Sequence, residues 1–331
     1  MLEDVKKVVN PIYMVGGSVR DKLMGRKPND YDFATPLTPD EIEDAVREYG
    51  RRPYLAGKKF GTIGFKMNGQ IVEVTTFRSE KYQPGCRKPN VEYVQDIIAD
   101  LSRRDFTINA IALRDNKYID PFGGRVDILK KLIQAVGVPK QRFKEDPLRM
   151  LRAARFASQL YFDVDQTTFN TIRKMAPAIL TISKERWTQE LDKLLVSDNP
   201  AKGLEIAAQA RLFNFIIPEL SLQIDFDQNS PYHDFSLWDH TKMVVENSPQ
   251  NIDCRWAALL HDIAKPFVKT PRKKGGYNFI DHEKLGAEMA WKVAQHLKFS
   301  NNRRNAVCDI IANHLKDNCP IKEADDAAKK K

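Results

Sequence analysis

The sequence predicts an α+β head at the N-terminus followed by a long all-helical remainder, and three observations carry that prediction. Tyr13-Met14-Val15 reads as an apolar strand running into Gly16-Gly17 and a helix that opens at Ser18-Val19-Arg20-Asp21. Ile63 to Met67, then Asn68-Gly69, then Gln70 to Phe77 reads as a hairpin with the strongest short turn signal available. From about residue 139 onward the strand patterning gives way to helical periodicity.

The first stretch carries chemistry. A strand ending in two glycines before a helix aims backbone N–H groups and the positive helix end at whatever sits above Gly16 and Gly17, which makes a phosphate seat. Nine residues beyond Asp21 comes Asp30-Tyr31-Asp32-Phe33. In a β-like run the period of two places both carboxylates on one face and the two rings on the other. Two carboxylates aimed at one point form a site for a divalent cation, and hard oxygen ligands suit Mg²⁺. A phosphate seat beside a Mg²⁺ site describes nucleotidyl transfer.

Composition sets the frame. With 331 residues, 42% of them apolar, the chain can build two or more cores. There is no N-terminal apolar h-region and no apolar run near the length of a membrane span, so neither a signal peptide nor a membrane partner is expected. The four cysteines, Cys86, Cys254, Cys308 and Cys319, have no CxxC spacing, which suits a reducing compartment, with the cytoplasm as the expected location. A net charge of +9 favours an acidic partner, and for a Mg²⁺-nucleotide enzyme that partner can be RNA. No repeat period is visible, and the Ala327 to Lys331 tail is the one low-complexity piece.

In chain order, residues 1–10 read as a short helix with Val5, Val8 and Val9 on one side. Thr38-Pro39-Asp40-Glu41 supplies an N-cap, a proline at N1 and an acid at N3, and Gly50 closes that helix. On the second hairpin strand Glu73 interrupts Ile71-Val72-Val74 and reads as an edge residue. Residues 79–93 read as a loop, with Pro84, Gly85, Arg87, Lys88 and Pro89. Then come Asp100-Leu101-Ser102-Arg103-Arg104-Asp105-Phe106-Thr107-Ile108-Asn109-Ala110 and Asp120-Pro121-Phe122-Gly123-Gly124-Arg125-Val126-Asp127. Glu145 to Phe156 reads as a helix with Asp146 near its N-cap, proline at N1 and Leu148, Leu151 and Phe156 toward the core. Ile182 to Leu191 caps and opens another helix. Asp225 to Pro231 is polar and reads as a linker.

The last third holds all six histidines: His233, His240, His261, His282, His296 and His314. His240 in Trp-Asp-His-Thr, the adjacent His261-Asp262 pair and His282 in Asp-His-Glu supply mixed nitrogen and oxygen ligands suited to a transition metal or Mg²⁺. Such a metal can activate a bound water. Asp309 and Asp317 are both candidates for a closing carboxylate.

GGSVRD, about ten residues, then DYD, followed in order by DLSRRDFTINA, DPFGGRVD, EDPLR and SKERWTQEL, resembles the DNA polymerase beta nucleotidyltransferase superfamily. More narrowly it resembles the bacterial class II tRNA nucleotidyltransferases and their poly(A) polymerase relatives, and the histidine set resembles the HD superfamily of metal-dependent phosphohydrolases. The resemblance implies a polymerase-beta-like mixed sheet with helices over 1–125, a helical neck and body over 126–226 that selects the base and binds tRNA, and an all-α HD-type domain over 227–331. It implies addition of CCA to the tRNA 3′ end from CTP and ATP with release of pyrophosphate. The alternatives are a poly(A) polymerase, an A-only or CC-only enzyme, or HD phosphohydrolysis as the main activity.

By the same resemblance Asp30, Asp32 and Glu73 are catalytic, with Mg²⁺ on Asp30 and Asp32. Gly16, Gly17, Ser18 and Arg20 contact phosphates, Arg104, Asp105 and Asn109 lie on the sugar and phosphate side, and Arg152 and Arg155 line the nucleotide site. A second divalent metal is implied at His240, His261, Asp262 and His282. The 79–93 loop is implied to help the site change from CTP to ATP, although Gln83-Pro84-Gly85-Cys86-Arg87 departs from the acid-glycine-arginine pattern the family often has. Asp146 and Arg149 are implied to read the base. A carboxylate accepts from the N4 amino group of cytosine or N6 of adenine, and a guanidinium donates to cytosine O2 and N3 or adenine N1. Uracil and guanine put a carbonyl oxygen where the amino group should be, so the two residues together select C and A.

Overall fold

The computed structural model describes residues 1–28, 30–81, 90–224, 226, 236–273 and 276–329. Asn29, residues 82–89 of the expected loop including Cys86, the expected linker apart from Phe226, His233 and the final two lysines lie outside the described residues. The chain divides into two compact units, one of Met1–Asp146 with Asp163–Thr168 and one of Pro147–Phe162 with Phe169–Lys331.

The first unit begins with α1 (Leu2–Lys6), β1 (Tyr13–Val15), α2 (Gly17–Leu23), β2 (Tyr31–Thr35) and α3 (Pro39–Glu48). It continues with β3 (Thr62–Met67), β4 (Gln70–Thr76), β5 (Arg78–Lys81), β6 (Asn90–Tyr93) and α4 (Ile97–Ser102). A 3-10 turn over Thr107–Asn109 precedes β7 (Ala112–Arg114), β8 (Lys117–Ile119), α5 (Gly124–Lys130) and α6 (Pro139–Glu145). The main sheet has the order β3-β4-β2-β1-β7-β8. It is mixed: β2 and β4 run parallel and every other neighbouring pair is antiparallel.

Local chemistry explains these elements. Asn68 and Gly69 both take positive φ, 50° and 82°, as a two-residue turn between β3 and β4 requires. The capping box on α3 forms as expected, with Thr38 and Glu41 satisfying each other's backbone N–H groups. One face of the sheet buries Val15, Ala34 and Ala112 with Phe77, Leu101, Ala110 and Val136. Gly123-Gly124 is more than a turn. The Asp120 carboxylate accepts from the N–H groups of Gly124 at 2.7 Å and Arg125 at 2.9 Å and so opens α5. A Cβ on Gly124 would lie 2.1 Å from the Thr107 carbonyl oxygen, so only glycine lets α5 come this close to the 3-10 turn. The Thr107 hydroxyl donates to Asp127 at 2.5 Å across the same contact.

Among the described residues the second unit is helical apart from one short strand pair, Thr270–Pro271 with Tyr277–Asn278. It holds α7 (Leu148–Leu160), most of α8 (Gln166–Met175), α9 (Lys184–Leu195), α10 (Pro200–Gln209), α11 (Phe213–Ile216) and α12 (Pro218–Ile224). It then runs through α13 (Leu237–Asn247), α14 (Ile252–Leu260), α15 (Lys265–Val268), α16 (His282–His296), α17 (Asn301–Ala312) and α18 (Lys322–Lys329). Asp192 on α9 ties it together, accepting from the Trp256 indole at 2.7 Å and from Arg303 at 2.6 and 2.9 Å. No helix among the described residues is long and apolar enough to cross a membrane.

Candidate active site

The site in the first unit gathers at Gly16. Its φ of 68° with ψ of −138° is a conformation only glycine takes at low cost. A Cβ there would lie 2.9 Å from Arg104 Nη1 and 3.7 Å from Asp32 Oδ2. The glycine between strand and helix therefore brings a bare backbone, a guanidinium and a carboxylate to one place. The Ser18 side chain is committed elsewhere: it is buried, and its hydroxyl donates to the Val15 carbonyl at 2.7 Å, fastening α2 to β1. What the seat offers a phosphate at this position is main-chain N–H, not the hydroxyl.

The carboxylates follow. β2 begins at Tyr31, so Asp30 sits on the bend just before the strand rather than within it. The alternation holds for the strand itself, with Asp32 open to solvent, Phe33 buried, and the Tyr31 and Phe33 rings stacked 6.5 Å apart. In the parallel register Asp32 pairs with Glu73, so both side chains leave the same face of the sheet. Although open by area, Asp32 is crowded by protein atoms. That crowding raises its pKa above the usual carboxylate range, Arg104 opposes the rise and the charge on Asp30 adds to it. An all-oxygen set of like-charged groups fits a hard divalent cation.

A second layer fixes the cationic groups. Arg20 donates to Asp21 at 2.8 and 2.9 Å and to the Asn109 amide oxygen at 2.8 Å. The Asn109 amide nitrogen donates in turn to buried Asp105 at 3.1 Å, and Asp105 also accepts from the Phe106 N–H at 2.8 Å. Arg20, Asn109 and Asp105 thus form one chain of hydrogen bonds within the site.

Asp146 closes the first unit with extended backbone just after α6. Pro147, not Asp146, occupies the N-cap position of α7, one residue later than the sequence pattern indicates. Arg149, in the first turn of α7, and Arg155 are buried in the second unit. Glu190 on α9 lies 2.9 Å from Arg155 and 3.9 Å from Arg152, so the SKERWTQEL segment braces α7 through an ion pair.

The histidines converge as well. His240, His261 and Asp262 offer ligand atoms within 4.8 Å of one another, and so do Asp262, His282 and His314. The Nδ1 atoms of His261, His282 and His314 lie 2.7–2.8 Å from the carbonyls of Ala258, Phe279 and Ile311. A proton on each Nδ1 leaves the Nε2 lone pairs facing inward. His282 and His314 then present Nε2 to Nε2 at 3.3 Å, and His240 Nε2 lies at the same distance from His261 Nε2 and 3.1 Å from Asp325 Oδ1. Facing imidazole nitrogens around the buried Asp262 carboxylate, itself 3.0 Å from His261 Nε2, suit a cation. The donor set fits a metal.

Lys265 Nζ stands 2.7 Å from Asp262 Oδ2. Burial alone would raise the Asp262 pKa, but His261 and Lys265 hold it well below the usual range. Burial lowers His240, whereas the charge on Asp262 overcomes burial and raises His261. Burial, joined by His261, pushes His314 down to about 4.

Asp309 and Asp317 are both exposed. Asp325 on α18 is buried with Oδ1 3.1 Å from His240 Nε2, and α18 packs against α13, which carries His240. Sequence reasoning also leaves out His314. The signal available was its place among the clustered histidines, but no short motif surrounds it. His296 stands apart, near Lys184 at 3.1 Å.

Comparison with known proteins agrees with this geometry. Residues 12–134 match the poly A polymerase head domain, 161–223 the probable RNA and SrmB-binding site of polymerase A, and 237–326 the HD domain. A CCA-adding enzyme of Staphylococcus aureus is 42% identical over 218 residues, covering 65% of this chain and 54% of that protein. One from Bacillus licheniformis is 43% identical over 215 residues, covering 64% and 53%. The chain spans about half the length of these curated relatives. The crystal structure of a Bacillus stearothermophilus CCA-adding enzyme in complex with CTP superposes with a TM-score of 0.64 at 25% identity, covering 99% of this chain and 81% of that one. The chain thus carries a poly A polymerase head domain, followed by the polymerase A RNA-binding segment and an HD domain.

Proposed function

We propose that this chain is a template-independent tRNA nucleotidyltransferase that adds CCA to the tRNA 3′ end from CTP and ATP, releasing pyrophosphate. The observation that carries the proposal is the meeting of Gly16, Arg104 and Asp32 at one point, with Glu73 beside Asp32 on the same sheet face. Relatives and a structural neighbour named as CCA-adding enzymes, one of them in complex with CTP, support it.

The nucleotidyltransferase family depends on a divalent metal, and here Mg²⁺ would be held by Asp30 and Asp32 with Glu73 as third carboxylate. When bound, it supplies a more acidic 3′-OH and neutralises charge on the leaving pyrophosphate. The chain's own residues do the rest. Gly16 and Gly17 let the backbone approach the triphosphate, and Arg104 and Arg20 bind its oxygens. Asp105 accepts from the ribose 2′-OH, with Asn109 linking it to Arg20. Asp146 and Arg149, three apart in sequence, select the base, and Arg152 and Arg155, the latter paired with Glu190, contact the nucleotide. In this reading residues 1–125 are the catalytic head, 126–226 the base-selecting and tRNA-binding neck and body, and 227–331 the HD-type domain of a cytoplasmic enzyme.

The test is to incubate the protein with tRNA lacking its last three nucleotides, Mg²⁺ and labelled CTP or ATP, and to sequence the product ends. CCA ends support the reading. Runs of A point to a poly(A) polymerase, and CC or A alone to a partial enzyme.

The six-residue cluster of His240, His261, Asp262, His282, His314 and Asp325 favours a second activity on the same chain, metal-dependent phosphoester hydrolysis. The cluster would hold one or two divalent metals. Buried Lys265 would contribute positive charge beside the substrate phosphate.

A further inference from the structure

We infer that Asp100 is a positioning residue for the nucleotide, holding Arg104 against Gly16 so that the guanidinium faces the triphosphate seat. This rests on the nucleotidyl-transfer reading of the first unit and adds a residue that the reading does not use.

Asp100, on α4, is completely buried. An ionised carboxylate in that position has to be paired and hydrogen-bonded. One oxygen meets this need by itself: Oδ1 accepts from Arg103 Nε at 3.0 Å and Nη2 at 2.8 Å, and from the Arg78 N–H at 3.3 Å. Arg103 thus pairs with one oxygen, and Arg104 opposes the cost of burial beside it. The other oxygen, Oδ2, accepts from Arg104 Nη2 at 3.1 Å. This contact satisfies the second buried oxygen and at the same time fixes the Arg104 guanidinium.

Arg104 is held at its other edge too, with Nη1 3.5 Å from the Asn109 carbonyl and beside Gly16. Its Nε has no hydrogen-bond partner among the described residues. Asp32 is the next carboxylate within its electrostatic reach. Without the Asp100 charge, the Nη2 edge loses its anchor and the guanidinium is free to leave Gly16, which removes a cation from the triphosphate seat. Asp100 gives Arg104 an anionic anchor on the side away from the seat. Arg103 and Arg104, adjacent in sequence, therefore share the Asp100 anchor, and Arg104 carries it on to Gly16.

The test is a double-mutant cycle read by equilibrium CTP binding to the full chain, with thermal melting as a check on folding. Asp100→Asn is expected to weaken CTP binding about tenfold, the size of one lost charge-assisted contact. Arg104→Gln should weaken it by a similar factor. The double variant should be no weaker than Arg104→Gln alone, because Asp100 acts through Arg104. Effects that multiply to about a hundredfold would overturn the proposal, since a general structural role is independent of Arg104. Should Asp100→Asn not fold, Arg104→Gln still decides: unchanged CTP affinity there leaves Asp100 nothing to position. If the parent chain binds no CTP, the nucleotidyl-transfer reading fails and takes this one with it. CTP binding that survives in the parent but does not depend on Arg104 sinks only the positioning role.

Discussion

Asp32 and Glu73 are register partners across the parallel β2–β4 pair, two carboxylates on one face of a sheet whose other face is packed with Phe33, Val72 and Val74. Neighbouring like charges destabilise the strand pair unless a cation joins them. Function and stability should therefore separate here. Asp30→Ala, Asp32→Asn and Glu73→Gln should each slow nucleotide addition by about a hundredfold or more, a loss of roughly 3 kcal/mol of charge stabilisation. Each variant should melt at or above the parent temperature in the absence of divalent metal. Addition by Asp30→Ala at the parent rate would place the metal elsewhere, and a parent-like Glu73→Gln would return Glu73 to being an edge residue.

Gly16 tests the same site from the backbone side. Gly16→Ala must hold φ at 68° and place its Cβ 2.9 Å from Arg104 Nη1. The backbone term should cost about 1–3 kcal/mol of stability. Because the clashing atom ends a flexible side chain, Arg104 should move instead of the helix, and the KM for CTP should rise more than the melting loss alone accounts for. A variant that is less stable with an unchanged KM would show that Gly16 serves only the turn.

How much of this was legible in the sequence varied with the range of the interaction. Local signals read through: Asn68-Gly69 gave its turn, Thr38 and Glu41 their capping box, and the strand-glycine-helix stretch its place at the site. Pairings that depend on tertiary contact did not. Glu73 could be named, but only the register puts it beside Asp32. Asp325 was missed because α18 brings it to His240 from 85 positions away in the chain. Its neighbours Ala324 and Asp326 carry no motif, whereas Asp309 lies nearer His314 in sequence and so drew attention. The need for glycine at Gly124 appears only once the Thr107 carbonyl is in place.

The histidine cluster makes a prediction with a readout other than activity. After incubation with Mn²⁺ and removal of free ion, the parent should retain metal by elemental analysis and melt at a higher temperature. At a metal concentration of 100 Kd the stabilisation is about 2.7 kcal/mol. His261→Ala, Asp262→Ala and Asp325→Asn should lose the metal and the thermal shift, whereas Asp309→Asn should keep both. Phosphoesterase activity should disappear with the metal while CCA addition persists, since the two sites use separate ligands. A parent that retains none of Mn²⁺, Co²⁺, Ni²⁺ or Zn²⁺ would leave the cluster a buried polar network.

Base choice gives the last prediction, and it turns on Asp146. In the proposed reading this carboxylate accepts from the amino group of cytosine or adenine and repels the carbonyl oxygen of uracil or guanine, with Arg149 donating beside it. Asp146→Ala should then lower CTP and ATP use and relax rejection of UTP and GTP. Each lost contact should be worth roughly 1–3 kcal/mol, or about ten- to a hundredfold in discrimination. The rival role is structural. Asp146 has extended backbone between α6 and α7, and a residue that only shapes a helix boundary would cost about 1 kcal/mol of stability on truncation. It would leave the ratio of CTP to UTP use untouched. The deciding measurement is that ratio in the folded variant at saturating tRNA. An unaltered ratio moves base selection away from this residue, and with it the argument that the site is built for C and A.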